Sequence, residues 1–158
     1  MLADIYVIKK TRSKETVFQF LNYFLPLRAE SSDWYQVPQY ADAAEIIFQN
    51  AESLMDYLEK TPDSEHSMYW RNLDSNDLNR HGMIFYTSDS YIIFGISRDN
   101  FGVKKTTNEE KCLDEMKNFL QTDEGYITYE SPPETTYPEF AFLVNQYEKS
   151  KIESIKAS

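Results

Sequence analysis

Residues that commonly build reaction centres are scarce in this chain. Its 158 residues include one cysteine, two histidines and four glycines. The lone cysteine, Cys112, excludes an internal disulfide, and four glycines leave no room for a glycine-rich phosphate-binding loop. Cys112 also lies beside the apolar positions of a predicted helix, which favours a place in the core over a reactive thiolate. The scarcity argues against most familiar forms of catalysis and makes an enzyme the less favoured interpretation.

The two histidines, His66 and His81, do not predict a metal site. Metal binding requires several His, Cys or carboxylate side chains that converge at ligand spacing. Neither histidine has such a partner three or four residues further on in a predicted helix. We therefore expect no metal and no other cofactor.

Positive charge is also in short supply. The chain has 16 lysines and arginines against 26 acids, for a net charge of −10. The acids are concentrated: residues 28 to 65 contain nine acids and two bases, and residues 118 to 148 contain six acids and no base. Affinity for nucleic acid and for anionic membranes depends on clustered basic side chains. The sequence thus predicts neither as a partner and favours a basic protein.

Long apolar runs are missing as well. No segment approaches the roughly 20 apolar residues that cross a bilayer. Near the N-terminus a short apolar run, Ile5 to Ile8, is followed rather than preceded by lysines, unlike a secretory signal. Together with the single cysteine, this pattern predicts a cytoplasmic protein.

The residues that are present predict one α+β domain. Hydrophobic residues make up 41% of the chain, which is enough for a single core. Strand and helix signals alternate and then cluster, which predicts a mixed, mostly antiparallel sheet of about five or six strands with three or four helices packed on it. We expect the domain to span residues 1–148 and to be followed by a frayed tail, residues 149–158.

Local signals place several elements. Ser13 and Asn50 are typical helix N-caps, each followed by apolar residues at helical spacing. Residues 83–87 and 91–96 form the strongest strand signal and predict a central β-hairpin. Within this hairpin Gly95 leaves space for a large neighbour, for which Phe85 or Trp70 is a candidate.

Aromatic side chains are interleaved with carboxylates in the acidic segment that starts near residue 30. Tyrosine and tryptophan supply contact area at low entropic cost, and surrounding carboxylates accelerate encounter with a basic protein. The pattern predicts a partner-binding surface in which acids steer and aromatics anchor: Glu30, Asp33 and Asp42, with Trp34, Tyr35 and Tyr40. The competing interpretation is that these aromatics fold back over the core while the acids only solvate the loop.

Two other functions stay open. The first is a small-molecule sensor or an enzyme of unknown reaction, with a pocket between the sheet and residues 28–42. Its candidate residues are Trp70, Arg71 and His81. The second is a subunit that uses its exposed aromatics for self-association.

The chain resembles the small acidic immunity-type proteins that bacteria encode beside polymorphic toxins. The resemblance rests on Ile5 to Ile8 with Ser13 to Phe24, on the Asp33-Trp34-Tyr35 loop, and on the hairpin from Met83 to Ile96. It carries no diagnostic motif and therefore assigns no individual residue. It implies a protein that binds and occludes a toxin domain, often a basic nuclease, without a cofactor.

Overall fold

The computed structural model describes residues 2–99 and 107–157. Within these ranges the chain forms eight strands and four helices. In chain order they are β1 (Leu2–Lys9), α1 (Lys14–Phe24), β2 (Arg28–Glu30), β3 (Tyr35–Val37), β4 (Ile46–Phe48), α2 (Ala51–Lys60), β5 (His66–Asn72), β6 (Asn79–Tyr86), β7 (Ile92–Asp99), α3 (Thr107–Leu120), β8 (Gly125–Tyr129) and α4 (Tyr137–Ala157).

The strands form two sheets. Six of them make the main sheet in the order β2-β5-β6-β7-β1-β8, and β3 pairs with β4 in a separate two-stranded sheet. Every described pairing is antiparallel, so the α+β prediction is confirmed and the main sheet is antiparallel rather than mixed. The predicted hairpin is formed by β6 and β7, which are the two central strands of the main sheet.

The first two helices begin at the predicted caps. The Ser13 side chain accepts a hydrogen bond from the Thr16 amide at 3.2 Å, and Asn50 accepts one from the Ser53 amide at 2.9 Å. Each cap satisfies an amide that the helix itself leaves without a partner. The apolar residues that follow at helical spacing are buried in both helices.

The two faces of the main sheet are covered unequally. Helices α1, α2 and α3 pack on the face that we call the core face, where Met68, Trp70 and Ile84 are buried. On the opposite face, which we call the open face, α4 packs Phe140 and Val144 against the β1, β7 and β8 side of the sheet. None of the four described helices lies over the part of the open face that β5 and β6 form.

Gly95 lies on the open face at a close approach between strands. A Cβ atom there would lie 2.9 Å from the ring of Tyr6 and 3.0 Å from Cε of Met83. The large neighbour is therefore Tyr6, and the prediction of Phe85 or Trp70 is wrong. The reason is strand order: β7 pairs with β1, which brings Tyr6 directly opposite Gly95.

A buried arginine joins three segments on the core face. Arg12 donates hydrogen bonds to four carbonyl oxygens, at 2.8 to 3.0 Å: those of Leu58, Thr61, Ser64 and Thr87. Its guanidinium also lies 4.9 Å from the ring centre of Tyr86. Arg12 thereby ties the end of α2 and the loop after it to the turn between β6 and β7.

Helix α4 continues to Ala157, through most of the segment for which the sequence predicts a frayed tail, residues 149–158. Residues 149–157 are all exposed. Among the helices that the structure describes, none combines the length and apolar character needed to cross a membrane.

Candidate functional site

The predicted binding segment forms an arm, residues 31–49, which leaves β2 at the edge of the main sheet and returns to α2. The arm contains the two-stranded sheet of β3 and β4. Trp34, just before β3, and Ile47, in β4, are each more than half exposed. The arm therefore presents apolar surface to solvent instead of burying all of it.

Two of the predicted surface residues have internal roles. Tyr35 is buried, and its hydroxyl donates a hydrogen bond of 2.8 Å to Oε1 of Glu30. The same oxygen accepts a 2.7 Å hydrogen bond from the amide of Ala51, the first residue of α2, where a negative charge is favourable. Burial, followed by this contact with Glu30, raises the pKa of Tyr35. Tyr35 is therefore buried and Glu30 is half-buried with an internal partner, whereas their predicted role in partner binding stays a prediction.

The remaining predicted residues are exposed: Asp33, Trp34, Tyr40 and Asp42. The arm has three acids, which are Asp33, Asp42 and Glu45, and no lysine or arginine. Within residues 2–99 and 107–157, none of these three acids forms an ion pair. The described residues therefore leave the negative charge of the arm without an ion pair.

Tyr40 lies on a loop that hydrogen bonds hold in place. The side-chain amide of Gln36 donates to the carbonyls of Pro38, Gln39 and Ala41 at 2.8 to 3.3 Å. The side-chain amide of Gln39 pairs with the backbone N–H and C=O of Ser67 in β5, at 2.9 and 3.0 Å. Tyr40 is nevertheless 85% exposed. An aromatic side chain is thus displayed on a loop that is already ordered.

A groove of about 930 Å³ lies beside this loop, on the uncovered part of the open face. Its floor includes Tyr69, Phe85 and Ile93, which belong to three neighbouring strands. The Tyr40 loop forms one wall at the edge of the sheet. Residues 132–135 form the other wall, in a strap (residues 131–136) that crosses the open face from Asp4 towards Asp89. The volume is typical of a ligand-binding cleft.

The charged residues that line the groove are acids. They are Glu45, Asp63, Glu65 and Glu134, and no lysine or arginine is among the described lining residues. A hydrogen bond to the nearby Glu139, followed by burial and repulsion, raises the pKa of Glu134. Two carboxyl groups held this close favour keeping a proton between them or gaining a nearby cation.

At its inner end the groove turns around the ends of β5 and β6, where His66 and Tyr86 lie opposite each other. Both side chains are buried, and burial lowers the pKa of His66 to about 4, so its imidazole is neutral near pH 7. Nδ1 of His66 and the hydroxyl of Tyr86 have no hydrogen-bond partner among the residues that the structure describes.

The three residues of the predicted alternative pocket do not come together. Trp70 is buried on the core face, whereas Arg71 and His81 pair with each other on the open face. Trp70 lines a separate pocket of about 310 Å³. A cavity does lie between the sheet and part of residues 28–42, but it is the groove, which Trp70, Arg71 and His81 do not line.

His81 belongs to a polar row that runs across the open face. It pairs with Ser97 of β7, and Ser97 pairs with Asp4 of β1. Burial is the main cause that raises the pKa of Asp4. Because Ser97 lies between the other two, the histidine cannot act as the bridging base of a Ser-His-Asp arrangement. The row therefore does not supply a nucleophile of that kind.

Cys112 and the titratable residues give no further reaction centre. Cys112 is buried as predicted, and burial raises its pKa to about 11, which leaves it protonated at neutral pH. Across residues 2–99 and 107–157, no three His, Cys, Asp or Glu side chains converge as they would around a metal ion.

No family model matches the chain, and no curated protein or solved structure matches it significantly. The interpretation of the site therefore depends on its own geometry. Sequence reasoning predicted a pocket between the sheet and residues 28–42 but not the residues that line the groove, because its floor and its two walls come from segments far apart in the chain. It also missed Gln36 and Gln39, since a glutamine that shapes a loop carries no distinguishing sequence signal.

Proposed function

We propose that the chain is a non-catalytic protein-binding module that binds a basic partner protein and occludes part of its surface. The observation that carries this proposal is the arm, which presents Trp34 and Tyr40 beside Asp33 and Asp42. The aromatic side chains are 52% and 85% exposed, and the acids lack ion pairs within the described ranges.

The exposed aromatic side chains and the carboxylates of the arm contribute to binding in different ways. Burial of exposed Trp and Tyr side chains provides most of the energy in many protein interfaces. Unpaired carboxylates raise the association rate with a basic surface and make it sensitive to salt. Because hydrogen bonds already order the Tyr40 loop, less conformational entropy is lost when a partner binds.

The most concrete form of the proposal is an immunity or inhibitor protein of the kind the sequence resembles. Such a protein acts in the cytoplasm by covering a basic toxin or enzyme domain. It requires no cofactor, and it does not depend on nucleic acid or on a membrane. The net charge of −10 supports this form, because a basic nuclease domain would be attracted to it.

The test uses affinity capture from a lysate of the source cells, followed by binding of the purified partner. We expect a stoichiometric basic protein that is retained at low salt and lost at high salt. Because Trp70 is buried and Trp34 is exposed, a change in tryptophan emission on binding reports mainly on Trp34. The Trp34→Phe variant provides the background from Trp70.

Variants on and off the arm locate the interface. Trp34→Ala and Asp33→Lys should each weaken binding of the purified partner at least tenfold, the usual effect of removing an interface anchor. Phe142→Ala and Asp123→Lys, which change an equally exposed aromatic and an exposed acid elsewhere, should leave the affinity unchanged. Equal effects from both sets, or binding that is indifferent to salt, would contradict the proposal.

A second candidate function is a small-molecule sensor, which the groove volume of about 930 Å³ supports. It predicts that a small molecule raises the melting temperature in a saturable way while Trp34→Ala has no effect on any ligand. Self-association, the third possibility, predicts a dimer or larger species by light scattering, and the binding module predicts a monomer.

A further inference from the structure

The groove is distinct from the outer surface of the arm and can be assigned an occupant by its chemistry. Trp34 and Ile47 do not line it, whereas Tyr40 does, together with Tyr69 and Phe85 on the sheet. The rings of Tyr69 and Phe85 meet edge to face, with their centres 5.8 Å apart. Tyr69 is 41% exposed, so aromatic surface is open to solvent at the mouth of the groove.

The charges at the mouth select a cation. Glu45 lies on the side of the arm and Glu134 on the strap, so negative charge flanks the aromatic floor from both walls. Both side chains are exposed, and no basic residue is among the described residues that line the groove. Aromatic faces with neighbouring carboxylates are the environment that guanidinium and ammonium groups prefer.

The inner end of the groove holds uncharged polar groups that no described residue satisfies. The guanidinium of Arg12, which does not line the groove, lies behind this end, 4.9 Å from the ring centre of Tyr86. The buried Nδ1 of His66 and hydroxyl of Tyr86 lack partners among the described residues, and buried polar groups are normally hydrogen-bonded. Neutral N–H groups suit such a region, and a peptide backbone supplies them at a short distance from its charged side chains.

We propose that the groove binds an extended basic segment of a partner protein, with an arginine or lysine side chain at the mouth between the acidic walls and the peptide backbone along the floor. This inference rests on the proposed function, because it names the part of the basic partner that the chain recognises. It adds a second contact region to the outer surface of the arm.

The test titrates the full chain, labelled with ¹⁵N, with a blocked peptide of alternating glycine and arginine. We expect saturable chemical-shift changes of the amide groups of residues 39–41, 67–69, 85–88 and 134–135. The same peptide with citrulline in place of arginine keeps the shape and loses the charge, so it should cause no such changes. Raising the salt concentration should weaken binding of the arginine peptide.

Substitutions at the mouth of the groove should weaken peptide binding without unfolding the chain, because the altered side chains are exposed. Tyr40→Ala should raise the dissociation constant about two- to fivefold, the usual effect of one exposed cation–aromatic contact. Tyr40→Phe should retain the affinity. The double variant Glu45→Gln/Glu134→Gln should raise the dissociation constant roughly three- to tenfold and flatten its salt dependence.

The outcomes separate this inference from the proposed function. No shift with the arginine peptide, or shifts confined to the Trp34 and Ile47 side of the arm, would overturn the groove assignment and leave partner capture through Trp34 intact. Equal binding of spermidine would overturn the assignment to a peptide. Peptide binding in the groove without any captured partner would support the groove chemistry and count against the proposed function.

Discussion

The core face and the open face of the main sheet are built from alternate residues of the same strands, yet they end in different environments. Met68 and Ile84 on the core face are fully buried beneath helices. Their direct neighbours Tyr69 and Phe85 on the open face stay partly exposed in the groove. Three helices cover one face and a single helix covers part of the other. Whether an apolar strand residue becomes part of the core or of a binding surface therefore depends on which other elements of the chain cover it.

Loss of a single polar side chain on the core face should lower the free energy of unfolding more than a comparable loss in a surface loop. Arg12→Met removes four hydrogen bonds to buried or partly buried carbonyls, so the free energy of unfolding should fall by roughly 3 kcal/mol or more. Denaturant titration at pH 7 measures the change.

The matched control for Arg12 is Arg80→Met. Arg80 also donates to two backbone carbonyls, but its side chain is half-buried in a surface loop. The free energy of unfolding should change by about 1 kcal/mol or less. Equal falls in the free energy of unfolding for the two variants would show that the four hydrogen bonds of Arg12 do not stabilise the fold more than those of a surface arginine.

The free energy of unfolding should fall in acid because of His66, which lies where the groove turns around the ends of β5 and β6. Burial lowers the pKa of His66 to about 4 from the value of about 6.5 that is usual for histidine, so the unfolded chain binds a proton more readily between these pH values. The stability that depends on a neutral His66 is complete above about pH 6.5 and is lost progressively as the pH falls towards 4, by at most about 3 kcal/mol.

The measurement for His66 is the free energy of unfolding from pH 7 to pH 4, compared with His66→Gln. The glutamine variant keeps a polar side chain and removes the titration. Its stability should fall less steeply with acid than that of the wild type. Parallel pH profiles would mean that His66 is not buried as described.

The packed part of the open face should resist added volume. In Gly95→Ala the new Cβ would press on the Tyr6 ring and on Met83, so the free energy of unfolding should fall by roughly 1 to 3 kcal/mol. In the control Gly82→Ala on the core face, the nearest atom is Cδ2 of Leu21 at 3.2 Å, the end of a flexible side chain. The control should remain within about 1 kcal/mol of the wild type in the same denaturant titration. A larger fall in the free energy of unfolding for Gly82→Ala than for Gly95→Ala would contradict this prediction.

Features that depend on nearby residues could be predicted from the sequence. The caps at Ser13 and Asn50, the buried stripes of α1 and α2, and the central hairpin all lie within short segments, where local hydrogen bonding and apolar periodicity decide the structure. The fold class followed from the same signals.

Features that depend on distant contacts could not be predicted. Oε1 of Glu30 accepts a hydrogen bond from the amide of Ala51, 21 residues away, and this contact gives a predicted steering acid a partner within the chain. Tyr35 is buried beside this half-buried carboxylate, whereas the adjacent Trp34 is exposed. An alternating strand places neighbours on opposite sides, but only the tertiary fold determines which side faces inward.

The pairing of Gln39 with Ser67 has a consequence for assembly. A side-chain amide occupies the two backbone groups of β5 that a strand from another molecule would otherwise use, in the stretch that β2 is too short to cover. An uncovered strand edge is a template for polymer growth. Any ligand that pulled the Tyr40 loop away from the sheet would uncover that template, so the loop guards against fibre formation only while it stays in place.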